Sequence, residues 1–279
     1  MIKFTIITCT FNAEPVMQRT LESVLRQTYP EVEHIIQDGL SSDATMQMAK
    51  EYKVVSDQES PAHDVVLVSE RDSGLYDAMN RALARATGDY LVFLNAGDKL
   101  PGSDTLELLA ASIGKGKPLP GVVYGDTNIV DSEGRFLHKR RLAPPDHLTW
   151  RSFLKGMLVC HQSFYALTSI AQATPYDMRY KFSSDVDWCI RIMQKSEQEG
   201  RQLLNAHMVL CDYLEGGMSV KNHRASLRER FTVMRRHYGL LPTLLMHFCF
   251  LFRAMRKKTV ESQTQQRRTA ASPPINQQQ

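Results

Sequence analysis

Residues 65–98 read VVLVSERDSGLYDAMNRALARATGDYLVFLNAGD, and the alternation inside this stretch decides the fold class. Val65 to Ser69 is a short, β-branched apolar run, which reads as a strand. A polar loop with one glycine follows. Leu75 to Ala86 then places Ala78, Met79, Ala82 and Leu83 on one side of a helix. Gly88 breaks that helix, and Tyr90 to Leu94 is a second strand ending on Asn95-Ala96-Gly97-Asp98. Strand, helix, strand at these lengths is a βαβ unit, whose two strands lie parallel. The same rhythm runs upstream. Lys3 to Thr8 and Glu33 to Gln37 read as strands, Glu14 to Arg26 as a helix, and Asp43 to Tyr52 as a helix with Asp43 at its N-cap. The sequence therefore predicts an α/β protein with a mainly parallel central sheet.

Parallel sheets bind ligands at the carboxyl ends of their strands. Here those ends are Thr8 to Asn12, Asp38 to Asp43, Glu70 to Gly74 and Asn95 to Asp98. One such loop is ordinary turn chemistry. Four on one edge gather acids, hydroxyls and glycines where a ligand would sit. Neither GxGxxG nor GxxxxGK[ST] is present, so no glycine-rich backbone cradles a phosphate. Acids suit a phosphate site when a divalent cation stands between them. Mg2+ or Mn2+ takes one or two carboxylates and fills its remaining positions with phosphate or water oxygens. Asp98 is the carboxylate placed to anchor such an ion. Asp38 and Asp72 instead suit acceptance from a base imide or a ribose hydroxyl.

The second half is more mixed. Gly121 to Val130 and Arg135 to Arg140 read as strands around an Asp131-Ser132-Glu133-Gly134 turn, Ser184 to Gln194 as a helix, and His207 to Tyr213 as another strand. With 279 residues, 43% hydrophobic and 23% charged, the chain can bury a substantial core, which excludes a disordered or disulfide-knotted protein. The five cysteines are scattered with no CxxC, so neither a zinc knuckle nor a disulfide framework is indicated and a reducing cytoplasm is expected. No signal peptide is read at the first residues.

The net charge of +4 hides an asymmetry: Arg224 to Lys258 holds nine Lys and Arg residues against one acid, Glu229. Inside it, Leu240 to Phe252 is rich in Leu, Met and Phe but shorter than the roughly 20 residues a spanning helix needs. Two readings stand: a basic helix lying on an anionic membrane surface, and a helix packed on its own domain with a solvated basic face. Nucleic acid is a weaker third reading, because no binding motif accompanies the charge. From Thr259 onward the chain lacks residues to bury, and disorder is expected.

TCTFN at Thr8, DGLSSD at Asp38, SERDSGLYDAMN at Ser69 and ATGDYLVFLNAGD at Ala86 occur in that order. CHQSFY at Cys160, YKFSSDVDW at Tyr180 and EGGMS at Glu215 follow. This series resembles the family 2 inverting glycosyltransferases of GT-A fold, in particular the bacterial branch that builds capsule, colanic-acid-type exopolysaccharide and O-antigen. The resemblance covers about residues 3 to 220. It implies a GT-A nucleotide-sugar-binding sandwich over 1–220, with a nucleotide-sugar half at 1–100 and an acceptor half at 101–220. Basic amphipathic helices over 221–258 and a tail over 259–279 would complete the chain. By the resemblance Thr8, Phe11 and Asn12 line the nucleotide pocket, Asp38 bonds base or ribose, and Asp72 with Gly74 helps hold the nucleotide. Tyr76, Asp77 and Asn80 would face the sugar or diphosphate. Asn95 to Asp98 takes the place of the family's DxD motif; its first acid is Asn95, leaving Asp98 as the metal ligand for Mg2+ or Mn2+. Asp185 matches the catalytic base, with Asp187 as a rival two residues on. His161 and Gln162 would lie on the acceptor side, and Gly216 and Gly217 would let backbone approach the ligand.

The implied chemistry is coherent. A sugar leaving a UDP or GDP group needs the diphosphate's growing charge neutralised. The attacking hydroxyl needs a carboxylate to take its proton. One base opposite the leaving group gives single displacement with inversion. The expected acceptor is a glycan or lipid-linked oligosaccharide, at a cytoplasmic or peripheral inner-membrane location. Two other classes compete: a nucleotidyltransferase, which would want a basic glycine-rich loop that is absent, and a non-catalytic sugar-nucleotide-binding protein.

Overall fold

The computed structural model describes residues 1–116, 118–216 and 223–250. Gly217, the basic end from Arg253 to Lys258 and the tail 259–279 lie outside the described residues. Strands β1 (Phe4–Thr10) and β2 (Val32–Asp38) are buried at every residue. Such continuous burial is what helices on both faces of a parallel sheet impose. Helix α1 (Glu14–Leu25) has a proline in its first turn, where the missing N–H costs nothing. Helix α2 (Thr45–Ser56) begins two residues after Asp43, with Ala44 at the N-cap position. Asp43 nevertheless serves both helices: it accepts from the Thr45 N–H (3.0 Å) and the Glu14 N–H (3.1 Å).

Strand β3 (Asp64–Ser69), helix α3 (Leu75–Arg85) and strand β4 (Tyr90–Phe93) complete the first half. β2, β1 and β4 pair in parallel, as does β3 with β2. The turn from α3 into β4 requires Gly88. A Cβ there would stand 2.7 Å from the Lys3 carbonyl oxygen and 2.8 Å from the Thr5 nitrogen. No side chain fits that gap.

Helix α4 (Thr105–Ile113), strands β5 (Val122–Val130), β6 (Phe136–Lys139) and β7 (Phe164–Leu167), helices α5 (Thr168–Gln172) and α6 (Ser184–Gln198), and strand β8 (Leu203–Leu214) follow. The eight-stranded sheet runs β3-β2-β1-β4-β7-β5-β6, with β8 also on β5. β7 enters antiparallel between β4 and β5, while β5 and β8 pair in parallel. The sheet is thus parallel through its first half and mixed in its second. Trp188 on α6 is fully buried, 5.6 Å from Phe93 and 5.8 Å from Phe164 between ring centroids. It packs α6 onto the sheet.

The chain divides into a unit of Met1–Val233 and a second of Met234–Gln279. Helix α7 (His223–Tyr238) starts in the first unit. Its first turns are tied there: the Glu229 carboxylate accepts from the N–H groups of Lys181, Phe182 and Ser183, and Ser183 Oγ donates to the Ser226 carbonyl. The first unit therefore runs past the residue-220 boundary expected from sequence. In the second unit residues 240–250 are helical, with Leu241 72%, Leu245 63% and Phe248 70% exposed. No helix among the described residues is long and apolar enough to cross a membrane.

Candidate active site

The ends of β1 and β4, the N-termini of α3 and α6, and the end of β8 surround a cavity of about 680 Å³. Phe11, Asn12, Tyr76, Asn95, Asp98, His161, Gln162, Asp185 and Gly216, all expected from sequence, line it. Residues as far apart in sequence as Phe11 and Gly216 meet there because each sits at or just beyond a strand or helix end.

Asp98 lies at its floor, 3% exposed. Its Oδ1 accepts from the Leu214 N–H at 2.9 Å and its Oδ2 from Gln162 Nε2 at 2.9 Å. Burial pushes its carboxyl up to about 6, against those two hydrogen bonds and the nearby charges of His161 and Arg19. Asn95, three residues earlier, has its side-chain oxygen buried without a hydrogen-bond partner, while its amide nitrogen is 3.4 Å from His161 Nε2. Among the described residues no three His, Cys, Asp or Glu side chains converge as a metal cage. One carboxylate and one unpartnered amide oxygen nonetheless fit a hard cation that keeps most of its shell for phosphate and water.

Asp185 stands in the first turn of α6. Tyr76 Oη donates to its Oδ1 at 3.4 Å, and His161 Nδ1 lies 3.5 Å from its Oδ2. Burial alone would raise the Asp185 carboxyl. The His161 hydrogen bond and charge, with the Arg230 charge, outweigh it and hold the group below the ordinary carboxylate range. Asp185 is therefore ionised at neutral pH, as a proton acceptor must be. Its rival Asp187 is fully buried and salt-bridged to Arg191 at 2.6 Å, away from the cavity. Tyr76 is held in place by a stack through Tyr176 (5.3 Å) to Trp188 (4.9 Å).

A second group of expected residues is not brought into the cavity. Thr8 spends its hydroxyl on His34 (3.0 Å) and the Leu94 carbonyl (2.9 Å), inside the sheet. Asp38 is fully buried and ties three loops together, accepting from Thr10, Ser41 and Ser69. Asp77 is taken by Ser73 and Arg81, and Asn80 by both backbone groups of Tyr176. Gly74, with φ of 126°, starts α3. Asp72 sits at the rim: its Oδ1 holds the Gly74 N–H at 2.9 Å, and its Oδ2 would be 2.6 Å from a Cβ on Gly39. Phe11 lies against the same point and is 67% exposed. Together they form an open aromatic-and-acid ledge beside the cavity. Sequence reasoning did not single out Arg140, Lys181, Tyr213, Glu215 or Arg230 as lining residues. Arg230 was visible only as one of many basic residues in its window.

A doubly covered, mostly parallel sheet with acids at its strand ends is the architecture of nucleotide-sugar enzymes of GT-A fold. The family model described as glycosyl transferase family 2 matches residues 5–169, and the chain belongs to that family. A PGL/p-HBAD biosynthesis glycosyltransferase of Mycobacterium tuberculosis is 33% identical over 218 residues, 77% of this chain and 78% of that protein. Among solved structures, Staphylococcus aureus TarS 1-349 in complex with UDP-GlcNAc superposes with a TM-score of 0.65 at 16% identity, over 89% of this chain and 73% of that one. The mannosyltransferase PcManGT of Pyrobaculum calidifontis, in complex with GDP-Man and Mn2+, gives 0.60 at 19% identity, over 88% and 68%.

Proposed function

We propose that this glycosyltransferase moves one hexose-type sugar from a UDP- or GDP-sugar to a hydroxyl on a glycan or lipid-linked oligosaccharide, with inversion, in surface polysaccharide synthesis. The observation that carries the reading is the pairing inside one cavity of a buried Asp98 with an ionised Asp185. The donor complexes of the two structural neighbours support the donor class.

The ledge of Phe11 and Asp72 would take the nucleoside, the ring stacking on the base and the carboxylate accepting from base or ribose. Asp98 and Asn95 would hold a divalent cation, which when bound supplies positive charge to the diphosphate. Asp185 accepts the proton of the acceptor hydroxyl. The hydroxyl oxygen forms its bond to the anomeric carbon as the bond from that carbon to the diphosphate oxygen breaks, and the electron pair leaves with the nucleoside diphosphate. His161 and Tyr76 fix both carboxylate oxygens of Asp185, so little reorganisation remains for the transition state. Asp187 is locked to Arg191 and is not available as a second nucleophile, which supports a single displacement with inversion.

The exposed apolar stripe on helix 240–250, followed in sequence by Arg253, Arg256, Lys257 and Lys258, supports docking on an anionic membrane surface. A lipid-linked acceptor would be met at such a surface. The test of the reading is a panel of UDP- and GDP-sugars with Mg2+ or Mn2+, scored for nucleotide release and for the anomeric configuration of the product. One donor class should turn over with inversion. Retention, or release of pyrophosphate from a nucleoside triphosphate and a sugar phosphate, would overturn it.

A further inference from the structure

We propose that Arg230 is the fixed cation that binds the donor's diphosphate and takes up its charge as the sugar leaves. The inference rests on the donor reading above and adds a residue to it.

Arg230 projects from α7 into the cavity that also holds Asp98, His161 and Asp185. It is half-buried, and its Nε is shielded from solvent without a hydrogen-bond partner. Among the described residues it makes no ion pair. Its charge reaches Asp185 strongly enough to lower that carboxyl, yet the two are not in salt-bridge contact. The other guanidinium of the cavity, Arg140, is different. It donates to the carbonyls of Leu142 (2.9 Å), Leu158 (3.1 Å) and Met157 (2.7 Å), so its donors are committed to backbone.

The Arg230 Nε has lost water without gaining a partner. It is also held in place. Glu229, the preceding residue, grips the N–H groups of Lys181, Phe182 and Ser183, and Ser226, one turn earlier, accepts from Ser183. Ser226 and Arg230 are four residues apart and share a face of α7. The clamp that fixes the start of the Asp185 helix therefore also fixes Arg230 over the cavity.

The chemistry of the rest of the lining says what anion fits. The acidic set is thin, because Asn95 stands where the family pattern has an acid, and both oxygens of Asp98 already accept from the protein. Charge neutralisation by a cation on Asp98 alone leaves work for a second positive group. A guanidinium presents paired donors matched to two phosphate oxygens. As the bond from the anomeric carbon to the diphosphate oxygen breaks, the electron pair stays on that oxygen, and a preorganised guanidinium stabilises it.

The test measures binding of nucleoside, nucleoside monophosphate and nucleoside diphosphate, in the uridine and guanosine series, to wild type, Arg230→Gln and Arg230→Lys. Titration calorimetry in the presence of EDTA removes any metal contribution. For the series that wild type binds, Arg230→Gln should weaken the diphosphate about 10- to 100-fold and leave the nucleoside within about twofold. Arg230→Lys should recover part of the loss, because it restores a point charge without the fork. Equal diphosphate affinity in wild type and Arg230→Gln would overturn the inference while leaving the donor reading intact. So would a nucleoside loss as large as the diphosphate loss, which marks a structural role. Absence of diphosphate binding to wild type, in EDTA and with Mn2+ alike, would remove the donor reading and this inference with it.

Discussion

Replacing Asp98 by Asn should stabilise the metal-free protein at alkaline pH. Burial lifts the Asp98 carboxyl to about 6, so its folded-state value lies about two pH units above that of an unfolded chain. A raised carboxyl contributes stability that is complete below the unfolded value, near pH 4, and is lost as pH rises through about 6. Two pH units correspond to about 3 kcal/mol, which is what the ionised group costs the fold at pH 8. Asn has the same shape and no charge. Its oxygen keeps the Leu214 N–H bond, whereas its amide group meets Gln162 Nε2 and forfeits that bond, a loss of about 1 kcal/mol. The net gain at pH 8 is about 2 kcal/mol, or roughly 4–8 °C in Tm for a chain of this length. At pH 4 the wild-type carboxyl is largely protonated, and the variant should be level or slightly less stable. Thermal melts of both proteins at pH 4 and pH 8, in EDTA and without nucleotide, read this directly. A variant that melts lower at pH 8, or a difference that does not change with pH, would refute the reasoning. A stabilised variant that has lost turnover would show that this carboxylate is kept for chemistry at the expense of the fold.

Three further outcomes follow from the geometry. Phe11→Ala removes the exposed ring of the ledge and should weaken nucleoside diphosphate binding by about 5- to 100-fold, since base stacking is worth about 1–3 kcal/mol, with Tm unchanged; unchanged affinity by calorimetry would place the base elsewhere. Glu229→Gln sets an amide against the N–H groups of residues 181–183 and should cost about 2–3 kcal/mol, seen as a fall of several degrees in Tm; an unshifted melt would show that the clamp carries no energy. Removal of residues 240–279 should abolish co-sedimentation with anionic vesicles while nucleotide release from donor persists; retained vesicle binding would contradict the membrane proposal.

The first half of the fold was legible because two patterns reinforce each other. β-branched runs such as FTIIT and DVVLVS alternate with helices whose apolar faces have the right period, and Gly88 sits where only glycine can turn the chain. The second half was less legible. β7 has only four residues, and its antiparallel place between β4 and β5 is set by tertiary pairing that no local period announces. α4 was missed although it buries Leu106 and Leu109, because its small and apolar residues carry a weak helical stripe. In the site, strand-end position pointed to Asp98, whereas Asn95 and Asp185 were singled out by the resemblance to family 2 glycosyltransferases. What position alone could not tell was which side chains had free valence. Asp38, Asp77 and Asn80 occupy expected places but are consumed by neighbours in space, Ser69, Arg81 and Tyr176. Arg230 shows the reverse: it reads as one more surface charge until the fold turns it into the cavity and shields its Nε.

The central claim is that Asp185 is the base of a displacement whose donor is already bound. Asp185→Asn keeps the size of the side chain and an oxygen for the Tyr76 hydroxyl, while it sets an amide against His161 Nδ1 and removes the proton acceptor. With the donor identified by the nucleotide-sugar panel, kcat for transfer should fall by about 10²- to 10⁴-fold while the donor dissociation constant stays within about threefold of wild type. Transfer within about fivefold of wild type, or loss of donor binding together with transfer, would contradict the account.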